Sequence, residues 1–317
     1  MRIAVMGAGG VGGYFGARLA RAGHEVSFVA RGAHLAAMRK GGLKVTSALG
    51  DVHLSHPAVS DDPGALPPAD IVLFAVKLWD TESAAQALRP LLARGGVVVP
   101  FQNGVGSIER IGAVVGAERV MGGVAQIAAT IAEPGTIAHT GTMALLRFGP
   151  VVPSQQAAAE ALLAACKGAG IEAELVADIR RALWEKFVFL AAFSGLTSVA
   201  RQPIGVIRAD ADMRATLEAA MREAWTVGRA QGVALPDELV AQRLRFVDGL
   251  PAQMTSSMAN DLAVGNRLEA PWLSGAVVRM AQDAGITAPV HATMYAALKP
   301  YCAGASRAVA PTPGGTP

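Results

Sequence analysis

The stretch MRIAVMGAGGVGGYFG at residues 1–16 decides the fold of the first half of the chain. Residues 3–6 are typical of a short β-strand, and residues 11–21 are typical of an amphipathic helix. The spacing Gly7-x-Gly9-x-x-Gly12 lies between them. In that position the three glycines allow a tight turn, a close backbone approach to a pyrophosphate and close packing of helix on strand.

This context predicts a dinucleotide site, with an anion resting on the helix N-terminus. A glycine-rich turn alone would be weak support, because the chain contains 36 glycines. The strand before the loop and the helix after it make the motif specific. The predicted cofactor-binding residues of the loop are Gly7, Gly9, Gly10, Val11 and Gly12.

Three further strand ends bear on the same site. Arg31 follows the second predicted strand about 20 residues after the glycine loop, where an acidic residue would bind the ribose of NAD and an Arg suits a 2′-phosphate. NADP(H) is therefore favoured over NAD(H), and the alternative is a solvated Arg at a strand end. Lys77 and Asn103 follow two later apolar strands, and a surface charge and a turn residue are the corresponding alternatives.

Strands and helices alternate in the first half of the chain, which is the pattern of a parallel sheet covered by helices. The predicted strands are residues 3–6, 25–30, 71–76, 97–101, 145–148 and 172–176; residues 81–92 are a second helix and 53–68 are irregular. Beyond residue 178 only helical periodicity remains, at 179–200, 210–231, 236–246, 273–284 and 290–298. We predict an α/β Rossmann-type domain at 1–177, an all-α domain at 178–302 and a flexible tail at 303–317.

Composition excludes several functional classes. The net charge of +3 and the aromatic content of 5% do not suit a nucleic-acid-binding protein. Charged or polar residues interrupt every apolar stretch before the roughly 18 residues of a membrane span, so we expect a soluble cytoplasmic protein without a membrane partner.

No metal site is predicted, since Cys166 and Cys302 are far apart in sequence. Five of the six histidines look like surface or turn residues, and His139 looks structural.

These residues resemble the ketopantoate (2-dehydropantoate) reductase family over almost the whole chain. The shared blocks are the glycine loop with Arg31, Val76-Lys77, Gln102-Asn103-Gly104, Leu183-Trp184-Glu185-Lys186, and Ser256-Ser257-Met258 with Asp261 and Glu269. The resemblance implies a Rossmann-type domain joined to a helical domain, with the active site in the cleft between them. It implies NADPH-dependent reduction of ketopantoate to pantoate, as in pantothenate synthesis, and it is compatible with a homodimer.

Residue roles follow from the same resemblance. Lys186 would be the general acid, and Glu269 would support it and contribute to substrate and cofactor binding. Ser257 and Ser194 would contact the substrate, and Asn103 would contact both substrate and cofactor. Lys77 and Ala128 would line the cofactor. The chemistry agrees, because a desolvated ammonium in an apolar helix can stabilise and protonate a developing alkoxide; the alternative for Lys186 is a solvated lysine paired with Glu185 or Asp178.

The chain departs from the family pattern beside the expected proton donor. Family members carry an Asn four residues after the catalytic Lys and another eight after it, where this chain has Leu190 and Ser194. A third polar position corresponds, with a less certain alignment, to Ile204. At helical spacing Lys186, Leu190, Ser194 and Thr197 share one face. A site with fewer hydrogen-bonding groups tolerates a plainer acyl chain, so a less polar 2-oxo acid is an alternative substrate.

Two other interpretations of the function are compatible with the sequence. A 3-hydroxy acid or opine dehydrogenase would have the same general architecture, although the former expects an Asn at position 190. A non-catalytic NADP(H)-binding module would explain the missing Asn side chains. The presence of both Lys186 and Glu269 argues against that module, because burying two charged side chains that have no function costs folding free energy.

Overall fold

The computed structural model describes residues 1–305. The chain divides into two compact units, the first covering Met1–Leu183 and the second beginning at Trp184. Most of the predicted tail, residues 306–317, lies outside the described residues.

Unit 1 contains ten strands and five helices. The strands are β1 Arg2–Met6, β2 Glu25–Val29, β3 Leu43–Thr46, β4 Val52–Leu54, β5 Ala58–Ser60, β6 Ile71–Phe74, β7 Val97–Pro100, β8 Gly122–Glu133, β9 Thr136–Gly149 and β10 Glu172–Leu175. The helices are α1 Gly10–Arg21, α2 Gly32–Gly41, α3 Thr81–Ala87, α4 Ser107–Val115 and α5 Gln156–Gly168.

The first sheet is parallel and has the order β5-β2-β1-β6-β7. Strand order reverses beside β1, which is the arrangement of a Rossmann-type dinucleotide-binding sheet. Successive residues of β1 belong to different hydrophobic clusters, Ile3 and Val5 to one and Ala4 and Met6 to the other. Both faces of this strand are therefore buried, as expected for a parallel sheet. The predicted fold class of this half is confirmed.

A second sheet, absent from the prediction, has the order β10-β9-β3-β4, with β8 paired antiparallel to β9. The predicted strands at 145–148 and 172–176 belong to this sheet and not to the first one. Residues 53–68, predicted to be irregular, contain β5 and most of β4. Each of those strands has three residues, too few to show periodicity. Strand β4 forms a local hairpin with β3, and β5 pairs with the more distant β2.

Three helices of unit 1 and most of a long hairpin were also missed. Helices α2, α4 and α5 were not predicted, and the long β8–β9 hairpin was predicted only at residues 145–148. The hairpin is rich in Ala, Gly and Thr, and the first two have weak strand preference. The predicted helix at 81–92 divides into α3 and a short 3-10 turn, with Pro90 at the start of that turn.

Unit 2 is helical, and residues 184–305 contain no β-strand. Its helices are α6 Ile179–Ala200, which begins in the last residues of unit 1, α7 Ile204–Ala209, α8 Ala211–Ala230, α9 Leu239–Asp248, α10 Ser257–Ala263, α11 Ser274–Asp283 and α12 Pro289–Leu298. The start of α8 is capped by Asp210, whose carboxylate accepts a hydrogen bond from the Met213 amide at 2.9 Å. The predicted all-α second half is confirmed.

Helix α6 is long and apolar enough to cross a membrane by length and composition, contrary to the prediction from charge spacing. Of its most apolar 18-residue window, 61% is buried inside the protein. Burial of this kind is what the core helix of a globular domain shows, and such a helix passes the same length and composition test.

Candidate active site

The predicted glycine loop joins β1 to α1. Gly7 has a φ of +99°, a conformation that L side chains rarely adopt. The amides of Gly7 and Ala8 both donate to the Val29 carbonyl, at 3.2 and 3.0 Å, which fixes the loop against the end of β2. The first-turn amides of α1 have no intrahelical acceptors, and together with the helix dipole they favour an anion at this position.

Close packing explains the other glycines of the motif. A Cβ added to Gly12 would lie 2.2 Å from the Gly7 carbonyl oxygen, and one added to Gly10 would lie 2.0 Å from the Ala129 carbonyl oxygen. A Cβ added to Gly9 would meet no described atom within 4 Å. The loop is therefore tightly packed on its protein side and open at Gly9. These residues fit a bound pyrophosphate.

A histidine that was expected at the surface supports this loop. His34 is half-buried; its Nε2–H donates to the Ala8 carbonyl at 2.9 Å, and its Nδ1 accepts from the Gly135 amide at 3.0 Å. Burial lowers the pKa of His34, and the bond to Ala8 acts in the opposite direction. The surface interpretation was also wrong for His291, which is fully buried. No short-range sequence signal marks His34, because its partners are 26 and 101 residues away.

Arg31 lies two residues after the end of β2 and is the N-cap residue of α2. Its side chain is 69% exposed, and its Nη2 lies 2.6 Å from Oδ2 of Asp80. The guanidinium is thus available to a ligand and already holds one carboxylate, which the sequence did not reveal.

Lys77 and Asn103 follow the ends of β6 and β7. The two strands are parallel neighbours, so both residues lie at the carboxyl edge of the first sheet, where open α/β sheets bind their ligands. Lys77 is exposed, with its ammonium 5.6 Å from the centroid of the Trp79 ring, and Asn103 is half-buried. Ala128 is exposed in β8, at a register shift between Ile127 and Ala129.

In unit 2, the structure brings Lys186 and Glu269 into electrostatic contact. Burial lowers the pKa of the Lys186 ammonium from 10.5 to about 8, and attraction from the Glu269 carboxylate raises it against that effect. Glu269 is buried, with 7% of its surface exposed. An ammonium with this pKa can both donate and regain a proton near neutral pH.

The face of α6 that carries Lys186 continues through Leu190, Ser194 and Thr197. Leu190 is half-buried, and Ser194 is buried. The Thr197 hydroxyl donates to the Phe193 carbonyl at 2.7 Å and bonds the Ser256 hydroxyl at 2.8 Å, so it is committed to the protein. Leu190 comes four residues after Lys186, so its aliphatic side chain lies one helical turn along α6 from the lysine.

The two serines before Met258 have different positions. Ser256 is buried and caps α10, because its hydroxyl accepts from the Ala259 amide at 3.0 Å. Ser257 is the first residue of α10 and is exposed. Ser257 is thus not the helix cap, since its neighbour Ser256 has that role. Ile204 is fully buried in α7.

Both units match a known family. The ketopantoate reductase PanE/ApbA model matches residues 3–153, and the ketopantoate reductase PanE/ApbA C-terminal model matches residues 178–301. A 2-dehydropantoate 2-reductase of Halobacterium salinarum is 33% identical over 295 residues, covering 93% of this chain and 96% of the relative.

Solved structures agree with this match. A PanE/ApbA family ketopantoate reductase from Ralstonia eutropha JMP134 has a TM-score of 0.87 at 35% identity, covering 95% of this chain and 98% of its own. A D-mandelate dehydrogenase solved with NADH and anilino(oxo)acetate shares the fold, with a TM-score of 0.88 at 20% identity over 95% and 98% of the two chains. The family, the fold class and the oxidoreductase class predicted from the sequence are confirmed. The chain belongs to the ketopantoate reductase family.

Proposed function

We propose that this protein catalyses the NADPH-dependent reduction of a 2-oxo acid to a 2-hydroxy acid, with ketopantoate as the substrate that its family membership favours. The observation that carries the proposal is Lys186, whose pKa is lowered to about 8 by burial and which interacts with Glu269. Relatives named 2-dehydropantoate 2-reductase align with both units, and the product would be pantoate for pantothenate synthesis.

The coenzyme supplies the hydride when it is bound. Gly7, Gly9, Gly10, Val11 and Gly12 would hold its pyrophosphate through backbone amides at the start of α1. Arg31 would bind the 2′-phosphate, which is the reason for proposing NADP(H) over NAD(H). Lys77, Asn103, Ala128 and Glu269 would complete the binding residues.

Lys186 would act on the carbonyl oxygen of the substrate. As the carbonyl carbon is reduced, negative charge develops on that oxygen, and an ammonium can stabilise the charge and then donate its proton to it. The partial burial of Lys186 strengthens this interaction, because fewer water molecules compete for the charge. Glu269 keeps the lysine protonated at neutral pH by raising its pKa.

Substrate recognition would use Ser257, Asn103 and Ser194. Ser257 offers an exposed hydroxyl at the first residue of α10, and Asn103 offers an amide group beyond the end of β7. Ser194 is buried in α6, two turns from Lys186.

A second candidate is the reduction of a less polar 2-oxo acid, and Leu190 is the observation that favours it. An aliphatic side chain one turn from the ammonium cannot hydrogen-bond the hydroxyl of ketopantoate. A site that does not bond a substrate hydroxyl discriminates weakly against analogues that lack one.

The test is NADPH oxidation by the purified protein, followed by absorbance, with ketopantoate beside 2-oxo acids that lack its hydroxyl. Highest kcat/KM for ketopantoate supports the first candidate, and preference for the plainer acids supports the second. Leu190→Asn should shift the ratio toward ketopantoate, whereas Val199→Asn, at an exposed position of the same helix, should not. If the protein binds NADPH but no 2-oxo acid causes the NADPH to be oxidised, the proposal is contradicted and a non-catalytic module is favoured. Formation of 3-hydroxy acid products would also contradict the proposal.

A further inference from the structure

The guanidinium assigned to the 2′-phosphate already has an anionic partner. Arg31 Nη2 and Asp80 Oδ2 are 2.6 Å apart, although the two residues are separated by 49 positions in sequence. The Arg31 side chain is 69% exposed, whereas that of Asp80 is 25% exposed. The carboxylate is therefore the more firmly packed member of the pair.

Backbone contacts hold Asp80 in place. Its amide donates to the Lys77 carbonyl at 2.9 Å, and its carbonyl accepts from the Ser83 hydroxyl at 3.1 Å. Asp80 also stands at the N-cap of α3, where an Asp usually accepts a bond from the helix amides. Within residues 1–305 its side chain makes no such capping bond and is directed to Arg31 instead.

The neighbouring acidic residue of α3 is engaged elsewhere. Glu82 accepts from both Nε and Nη2 of Arg110, at 2.6 and 2.7 Å. This bidentate pair neutralises Glu82 locally. The negative charge that acts on Arg31 is thus that of Asp80.

We propose that Asp80 is a specificity-determining residue that weakens the preference of this protein for the phosphorylated coenzyme. The inference rests on the proposed function and deepens it. A 2′-phosphate must share Arg31 with the carboxylate or displace it, and it is repelled by the same carboxylate. An unphosphorylated ribose meets no such repulsion, and an acidic residue at this edge of the sheet can accept from its 2′-hydroxyl. Asp80 thereby brings the affinities for NADP(H) and NAD(H) closer together.

The test is calorimetric titration of the full-length protein with NADP⁺ and with NAD⁺, which differ only in the 2′-phosphate. Asp80→Asn should raise the ratio of the two Kd values, NAD⁺ over NADP⁺, by about fivefold, as expected when an exposed ion pair and a facing repulsion are removed. Asp80→Ser serves as a second variant, since Asn and Ser are both good N-cap residues. The increase in the Kd ratio should become smaller as salt is added, because salt screens the charges.

Glu174→Gln is the matched control. Glu174 pairs with Arg147 at 2.6 Å in the second sheet of the same unit, and both of those side chains are partly exposed. A ratio that changes less than about twofold in both Asp80 variants, or that rises equally in Glu174→Gln, would overturn the inference while leaving the proposed function intact. Failure of the unmodified protein to bind either coenzyme would overturn the proposed function and the inference with it.

Discussion

Replacing Glu269 by Gln tests how the buried carboxylate controls the proton donor. Burial lowers the pKa of Lys186 to about 8, and the Glu269 carboxylate raises it against that effect. Gln keeps the shape of the side chain and removes its charge. We therefore expect the pKa of Lys186 to fall further in Glu269→Gln.

The size of the effect follows from the charge interaction. An opposite charge close to an ionisable group shifts its pKa by about one to three units. At the low end of that range, the pKa of Lys186 in the variant would be about 7. At pH 8 the protonated fraction would then be about one half in the unmodified protein and about one tenth in the variant. Only the ammonium form donates the proton. The smaller protonated fraction alone should therefore lower kcat/KM at pH 8 about fivefold.

The assay is kcat/KM for NADPH-dependent reduction from about pH 6 to about pH 10, because this parameter reports the free enzyme. For the unmodified protein we expect a plateau at low pH and a tenfold fall per unit above about pH 8. In Glu269→Gln the pH at which kcat/KM begins to fall should be lower, whatever the value of kcat/KM on the low-pH plateau. Glu218→Gln is the control, since Glu218 is a surface carboxylate paired with Arg222 on α8.

Two results would refute this reasoning. A break at the same pH in the unmodified protein and in Glu269→Gln would show that the carboxylate does not set the charge of Lys186. A break near 10.5 in the unmodified protein would show that the ammonium is solvated.

Three further outcomes are expected. Lys186→Ala should lower kcat by about 10²- to 10⁴-fold while the coenzyme Kd measured by calorimetry stays unchanged; near-normal turnover would place the proton donor elsewhere. Gly12→Ala should abolish coenzyme binding, because its Cβ would lie 2.2 Å from the Gly7 carbonyl oxygen, and an unchanged Kd would contradict the close packing. Burial lowers the pKa of His291 from 6.5 to about 4, so the unfolded chain takes up this proton first as pH falls. Denaturant titrations should therefore show stability falling by up to about 3 kcal/mol between those pH values, and His291→Gln should lose that part of the slope.

Local sequence was enough to predict the dinucleotide loop and the overall fold class. Gly7, Gly9 and Gly12 follow a strand and open a helix within sixteen consecutive residues, so their backbone requirements can be seen without distant partners. Strands such as β1 and β6 are continuous apolar runs because both of their faces are buried. Helices longer than about ten residues in unit 2 repeat their apolar positions often enough to be recognised.

Tertiary structure decided what depends on residues far apart in the chain. Strand β5 exists because of its partner β2, and its three residues contain no periodic signal. The same applies to the pairing of Arg31 with Asp80. It applies also to the pKa of Lys186, which burial lowers and which the carboxylate of Glu269, far along the chain, raises. By itself, the sequence determined which backbone could bind a dinucleotide and which side chains could perform the chemistry. The charge state and partners of those side chains were decided only by folding, because desolvation and electrostatic interactions depend on distances in space.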